Sequence, residues 1–151
     1  MIIAGFSGIG KSTLAKSGVA RIIDLESSDF NKLDPIWYET YCKVAKRLSD
    51  QNFIVFVSCH SDVRGWLKYH NVPYVVIHPE KSLENEWILK LQKRNEKTKL
   101  TKDYRALERA TKYFQKDVDD IIENDKLRIP IDDIDYELED FIEEAINMIE
   151  R

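Results

Sequence analysis

The first thirteen residues constrain this chain more than any other stretch. A short apolar run, residues 1–4, leads into a segment in which Gly5, Gly10, Lys11 and Ser12 have the spacing G-x-x-x-x-G-K-[ST]. Glycines let the backbone adopt positive φ and let its N–H groups approach a polyphosphate closely. Three of the chain's five glycines lie in this segment. The pattern predicts a strand, a phosphate-binding loop and a helix in that order.

The residue types in this loop indicate how a nucleotide would be held. Lys11 supplies a positive charge for the β- and γ-phosphates, and Ser12 supplies a hydroxyl for Mg²⁺. The helix that follows directs the positive end of its dipole toward the same anion. We therefore predict ATP and Mg²⁺ as cofactors. The predicted donor-binding set is Gly8, Ile9, Gly10, Lys11, Ser12 and Thr13.

Composition limits the class of protein. The chain has 151 residues, 43% of them hydrophobic, which fits one domain with a substantial core. A net charge of −4 argues against a general nucleic-acid-binding protein, so nucleic acid is expected at most as a 5′-end substrate. Cys42 and Cys59 have no metal or redox spacing and are predicted to be packing residues. The start is too short and lacks the basic residues of a signal peptide or membrane span, which favours the cytoplasm and no membrane partner.

Short apolar runs alternate with helical patterns, which is typical of a parallel sheet covered by helices. The predicted strands are residues 1–4, 21–25, 53–57, 73–77 and 127–131, and Pro130 requires the last one to lie at an edge. Helices are predicted at 11–18, from Asp34 onward, at 61–69, at 81–95, around 104–121 and at 136–149. The basic residues 93–99 are predicted to be a loop or mobile flap.

Four segments together resemble a known family. They are the loop Gly5-x-x-Gly8-x-Gly10-Lys11-Ser12-Thr13, residues 22–30, residues 57–64, and the 87–94 helix with its basic tail. In order and spacing they resemble the small P-loop nucleoside monophosphate kinases, most closely the nucleotide kinase-like proteins of bacteriophages. The resemblance implies an α/β fold, the three-layer P-loop NTPase fold, with a five-stranded parallel sheet, helices on both faces and a small lid. It also implies one kinase domain over 1–151, a lid at about 93–112, and host cytoplasm if the chain is phage-encoded.

A kinase of this type needs arginines, because phosphoryl transfer depends mainly on positioning and charge neutralisation. Arg64, after the third strand, is a candidate to hold the acceptor phosphate through its bidentate guanidinium. Arg94 is the candidate that reaches the transferred phosphate. Arg105 and Arg109 are further candidates on the next helix. The alternative for each is an ordinary exposed arginine.

The sequence offers several candidates for the acidic partner of the metal. Asp24 ends the second strand, where its carboxylate could hold Mg²⁺ or polarise an acceptor group, and Glu26 and Asp29 are weaker candidates. The third strand ends in Ser58-Cys59-His60 and has no acid there, so either Asp24 or Asp62 would substitute, or the metal would be held mainly by Ser12 and the phosphates. His60 could contact a phosphate or simply cap a loop.

The acceptor side has fewer signals. Ser27 and Ser28 could donate hydrogen bonds to an acceptor phosphate or sugar, although turn residues explain them equally well. Trp37 and Tyr41 lie at core spacing, whereas Tyr38 points to another face and is the better candidate to stack on a base.

The sequence thus predicts an ATP-dependent kinase whose small-molecule acceptor is a nucleoside or deoxynucleoside monophosphate. The alternatives are a small-metabolite kinase, a polynucleotide 5′-kinase, or a non-catalytic nucleotide-binding switch or partner protein. The catalytic set is Lys11, Asp24, Arg64 and Arg94, with Ser12 and Asp24 at the metal, in a monomer or homodimer.

Overall fold

Five strands form one parallel sheet flanked by helices in the computed structural model, which describes residues 1–19 and 21–151. The strands are β1 (Ile2–Gly5), β2 (Ile22–Asp24), β3 (Ile54–Ser58), β4 (Tyr74–Pro79) and β5 (Arg128–Ile131). The helices are α1 (Lys11–Lys16), α2 (Trp37–Asp50), α3 (Ser61–Tyr69), α4 (Glu84–Thr98), α5 (Thr101–Asn124) and α6 (Leu138–Glu150). Short 3₁₀ turns occupy Ser27–Asp29 and Lys81–Leu83. The predicted α/β class and parallel sheet are confirmed.

The strand order is β2-β3-β1-β4-β5, and every neighbouring pair is parallel. The three central strands, β1, β3 and β4, consist of apolar runs that are almost fully buried, as expected for strands covered on both faces. Because β5 is an edge strand, the missing N–H of Pro130 can face the side that has no neighbouring strand, and no ladder hydrogen bond is lost. The edge position predicted from Pro130 is confirmed. None of the described helices is long and apolar enough to cross a membrane.

One predicted loop is a helix. Residues 93–98, expected to form a loop or flap, continue α4 to Thr98, and only Lys99 and Leu100 separate it from α5. Lys, Arg and Glu are good helix formers, so a charged composition does not end a helix. The end of α4 is also held by Asp103 of α5. Its carboxylate lies 3.0 Å from Arg94 Nε and accepts a hydrogen bond from Thr98.

Arg64 forms a buried ion network that joins α3 to the end of α5. Its guanidinium donates to the carboxylates of Asp120 and Asp125, and its Nε donates to the Cys59 carbonyl at 3.0 Å. Tyr74 of β4 also donates to Asp125, whose side chain is only 1% exposed. Each of the three guanidinium nitrogens therefore already donates to an acceptor within the protein. This corrects the predicted role of Arg64, because a guanidinium held in this way is not available to an acceptor phosphate.

We predict that Arg64→Ala destabilises the fold by about 3–5 kcal/mol, because it leaves the carboxylate of Asp125 buried and without its main partner. Urea denaturation monitored by circular dichroism measures the change. Lys46→Ala is the matched control, since Lys46 pairs with Asp50 on the surface and such pairs contribute under about 1 kcal/mol. Equal stabilities of the two variants would contradict the structural role of Arg64.

Candidate functional site

A cleft of about 960 Å³ lies at the carboxyl ends of β1, β2 and β3. Ser7, Asp24 and Ser58, which follow or end those three strands, all line it. The opposite wall comes from α4 and α5 through residues such as Leu91, Arg94 and Arg105. Ligand sites in open α/β sheets are found at this edge, so the topology and the cleft indicate the same location.

The glycine-rich loop, residues 5–10, forms the floor of the cleft, and its glycines are required for two different reasons. Gly8 and Gly10 have φ of 91° and 104°, a region that other residues rarely adopt. A Cβ on Gly5 would instead lie 2.5 Å from Ile9 Cδ1 and 2.8 Å from Lys11 Cδ. The loop therefore needs conformational freedom at two positions and close approach at a third.

Lys11 lies over this loop beside an acidic residue. Its Nζ donates to the Gly5 carbonyl at 2.7 Å. Burial lowers the pKa of Lys11, while the nearby Asp24 carboxylate acts in the opposite direction. The ammonium is therefore held where it is poorly hydrated, which strengthens its attraction for an anion.

Asp24 and Glu26 form an acidic pair at the end of β2. Burial raises the pKa of Asp24, and Glu26 raises it further, whereas Lys11 lowers it. Burial also raises the pKa of Glu26, but the hydrogen bond and charge of Lys102, 3.0 Å away, outweigh burial and lower it overall. Asp24 is thus the carboxylate of the pair that holds a proton more strongly.

A metal would have few protein ligands here. No group of three or more His, Cys, Asp or Glu side chains suited to a metal occurs in the described residues. Ser12 and Asp24 both line the cleft. Hydroxyl and carboxylate oxygens are ligand types that suit Mg²⁺, which usually takes only one or two protein ligands and completes its shell with water and phosphate.

The lining of the cleft has the opposite charge to the chain. Its acidic residues are Asp24, Glu26, Asp103 and Glu108, whereas its basic residues are Lys11, Lys32, Arg94, Lys102, Arg105, Arg109 and Lys112. Seven basic against four acidic residues gives +3, within a chain of net charge −4. Such local segregation favours an anionic ligand.

Some of the basic residues of the cleft form ion pairs with carboxylates among the described residues, and others do not. Arg94 pairs with Asp103, Lys102 with Glu26, and Arg109 with Asp117 at 2.7 and 2.9 Å. Arg105 is exposed and has no carboxylate partner among residues 1–19 and 21–151. Partial burial lowers the pKa of Lys32, and Arg105 lowers it further, so the two cations lie near each other.

Most of the predicted site residues line the cleft together. They are Gly8, Gly10, Lys11, Ser12, Asp24, Glu26, Ser27, Ser28, His60, Arg94, Arg105 and Arg109. The predicted residues that do not line it are Ile9, Thr13, Asp29, Tyr38, Asp62 and Arg64. The Ile9 side chain is 2% exposed and belongs to the core, and Tyr38 packs edge-on against Trp37. Neither side chain is presented to a ligand in the cleft.

Three basic residues of the cleft, Lys32, Lys102 and Lys112, were not predicted. Lys102 and Lys112 are spaced by three, four and three residues with the predicted Arg105 and Arg109, so these four share one face of α5, and this spacing is visible in the sequence. Trp87 and Tyr136, which contact the back of the glycine-rich loop, carry no sequence signal.

Residues 31–34, Asn-Lys-Leu-Asp, match the N-K-x-D order that reads guanine in GTP-binding proteins. In this structure both polar ends of the match form turns. Asn31 Oδ1 accepts from the Leu33 N–H at 3.1 Å, and Asp34 Oδ1 accepts from the Ile36 N–H at 3.1 Å. Such turns are the usual use of Asn and Asp in loops and account for the match without a base.

Comparisons with protein-family models, with curated proteins and with solved structures find no match to this chain.

We predict that Gly8→Ala lowers stability by roughly 1–2 kcal/mol more than Gly18→Ala. Both residues have positive φ, 91° and 86°, so both variants incur backbone strain. Only at Gly8 does the new Cβ meet a packed side chain, Leu91 Cδ2 at 2.9 Å, whereas nothing lies within 4 Å at Gly18. The measurement is the free energy of unfolding in urea. Equal losses would show that Leu91 does not pack against the loop.

Proposed function

We propose that the chain is an ATP-dependent kinase that transfers the γ-phosphoryl group to a nucleoside or deoxynucleoside monophosphate. In this proposal the α/β fold is the three-layer P-loop NTPase fold, and residues at about 93–112, the end of α4 and the first half of α5, form the lid. One observation carries the proposal. The G-x-x-x-x-G-K-[ST] loop forms the floor of a cleft of about 960 Å³ whose lining is positively charged in a negatively charged chain.

The donor triphosphate would bind over the glycine-rich loop. Lys11 and the loop amides would neutralise the β- and γ-phosphates, and Lys11 would remain in contact as negative charge spreads over the moving phosphoryl group. Arg94 lies on the opposite wall and would approach the same group when Asp103 releases it. This arrangement supports transfer by positioning and charge neutralisation without a covalent intermediate.

Ser12 and Asp24 would hold Mg²⁺ together with phosphate oxygens, because Ser12 directly follows Lys11 and Asp24 is the carboxylate whose charge acts most strongly on that lysine. When bound, Mg²⁺ would supply neutralising charge between the donor phosphates. Asp24 would then replace the acid that many such enzymes carry at the end of the third strand, where this chain has Ser58.

The acceptor phosphate would bind between the loop after β2 and α5. Arg105 and Lys32 are adjacent cations there, and Ser27 and Ser28 line the same region with hydroxyl donors. Because Arg105 has no carboxylate partner in the described part of the chain, its guanidinium is free for a bidentate contact. Arg105 takes the role that the sequence suggested for Arg64.

We expect Lys11→Ala to reduce turnover at least about 100-fold, because removing one stabilising donor at a phosphoryl-transfer site has effects of this size. The assay is ADP release from ATP and Mg²⁺, tested with each ribo- and deoxynucleoside monophosphate and with GTP as an alternative donor. Lys16→Ala, an exposed lysine of the same helix, is the control and should match the wild type. Full activity in Lys11→Ala would remove the loop from the mechanism. ATP binding without acceptor-dependent ADP release would favour a nucleotide-binding switch.

We expect Arg105→Ala to raise the KM for the acceptor roughly 10- to 100-fold and to leave the KM for ATP nearly unchanged, because a charge-assisted hydrogen bond to a phosphate is lost. Steady-state kinetics with both substrates varied measures the two constants. Lys116→Ala is the control, since Lys116 is an exposed residue of α5 outside the cleft. An unchanged acceptor KM would contradict the proposed phosphate contact.

A second candidate is a kinase whose acceptor is a neutral hydroxyl, such as a small metabolite or a polynucleotide 5′ end. The raised pKa of Asp24 favours this candidate, because a carboxylate that readily takes a proton can act as a general base toward a hydroxyl. The two candidates differ in one measurable way. A hydroxyl acceptor requires Asp24 for turnover but shows little dependence of its KM on Arg105.

A further inference from the structure

The glycine-rich loop is held from behind by two aromatic side chains from distant parts of the chain. Trp87 of α4 donates its indole N–H to the Ser7 carbonyl at 2.9 Å. Tyr136, which lies just before α6, donates its hydroxyl to the Ile9 carbonyl at 2.8 Å. These partners are 80 and 127 residues away from the loop in sequence.

Lys90 joins the two aromatic residues. Their rings are nearly parallel, at 8°, with centroids 6.0 Å apart. The Lys90 ammonium lies 4.5 Å from the Trp87 ring and 4.6 Å from the Tyr136 ring, and it donates to the Tyr136 hydroxyl oxygen at 2.8 Å. A hydroxyl that accepts from a cation becomes a stronger donor, so Lys90 strengthens the bond from Tyr136 to Ile9.

Peptide geometry converts these two bonds into an orientation of the loop amides. In a trans peptide the C=O and the following N–H point in opposite directions, and no cis peptide occurs in the described residues. The Ser7 carbonyl therefore fixes the Gly8 N–H, and the Ile9 carbonyl fixes the Gly10 N–H, each directed away from its aromatic partner. Neither amide donates to a protein acceptor within residues 1–19 and 21–151, and both glycines line the cleft.

From this geometry we infer that Trp87, Lys90 and Tyr136 are positioning residues that preorganise the Gly8 and Gly10 amides to bind a polyphosphate. The inference rests on the proposed function, since it requires that the loop binds phosphates. It adds that the affinity of the loop depends on side chains that touch no ligand. Preorganised donors bind more tightly because the loop need not be ordered when the anion arrives.

Tyr136→Phe tests the inference, because it removes one hydroxyl and keeps the ring. The probe is inorganic tripolyphosphate, which has no base or sugar, and its Kd is measured by titration calorimetry. We expect Tyr136→Phe to raise the Kd about tenfold, the effect of losing one oriented hydrogen-bonding group. Tyr104→Phe removes a hydroxyl from an exposed tyrosine outside the cleft and should leave the Kd unchanged.

Lys90→Met provides a second test of the same arrangement. If Lys90 acts through Tyr136, the double variant should bind tripolyphosphate no more weakly than Tyr136→Phe alone. Thermal melts of each variant separate a positioning role from a structural one. A lower Tm with an unchanged Kd would overturn the inference. Additive losses of affinity in the double variant would show that Lys90 does not act through Tyr136.

The inference and the proposed function fail in different ways. If the wild type does not bind tripolyphosphate, or if Lys11→Ala binds it equally well, the proposed function fails and the positioning role fails with it. If Lys11→Ala weakens binding but Tyr136→Phe binds like the wild type, only the positioning role fails.

Discussion

The packing of α4 beneath the glycine-rich loop is the contact on which the rest of the cleft depends. Trp87 is fully buried and Leu91 nearly so, and both lie close to Gly8, where even a methyl group would collide with Leu91. Trp87, Leu91 and Arg94 follow one another by four and three residues, so they share one face of the helix. The face that supports the loop therefore also directs Arg94 to the cleft. The position of this arginine is a consequence of core packing.

The same packing explains how the protein concentrates positive charge in one place. Like charges that face a common cleft repel one another, and this repulsion alone would push apart the helices that carry them. Here α4 and α5 are tied by Arg94 and Thr98 to the buried Asp103, and α5 is tied to the loop after β2 by Lys102 and Glu26. These ion pairs offset part of the repulsion. They also leave Arg105 and Lys32 as adjacent cations that form no direct ion pair with a carboxylate within the described residues.

The sequence was sufficient to predict the parts of the fold that follow from local patterns. Short apolar runs identified all five strands, and Pro130 identified the edge, because apolar content and the missing N–H of proline are properties of the segment itself. The prediction of a loop from residue 93 onward was wrong, because the charged sequence does not reveal the Asp103 carboxylate that holds the end of α4. That partner lies on another helix, and the pairing depends on the turn at Lys99 and Leu100.

Arg64 shows why site residues are harder to predict than strands. An arginine early in a helix after a strand has the same sequence context whether it faces a ligand or the interior. Its direction was decided by Asp120 and Asp125, which lie 56 and 61 residues further along the chain. Trp87 and Tyr136 are similar, because their partners are backbone carbonyls of the loop, and a carbonyl has no sequence signature. The loop itself was predictable, since its glycines are required by φ and by close approach.

The strand order determines where the Asp24 carboxylate lies in the cleft. Asp24 is on β2, which is separated from β1 by β3, yet its charge acts directly on Lys11. Burial opposes the charged form of both groups, because it lowers the pKa of Lys11 and raises the pKa of Asp24. A polyphosphate over the loop would raise the pKa of Lys11, and a divalent cation beside Asp24 would lower the pKa of that carboxylate. The two ligands of the proposed reaction would thus favour the charged forms of Lys11 and Asp24, and each would strengthen the binding of the other across a single Lys-Asp pair.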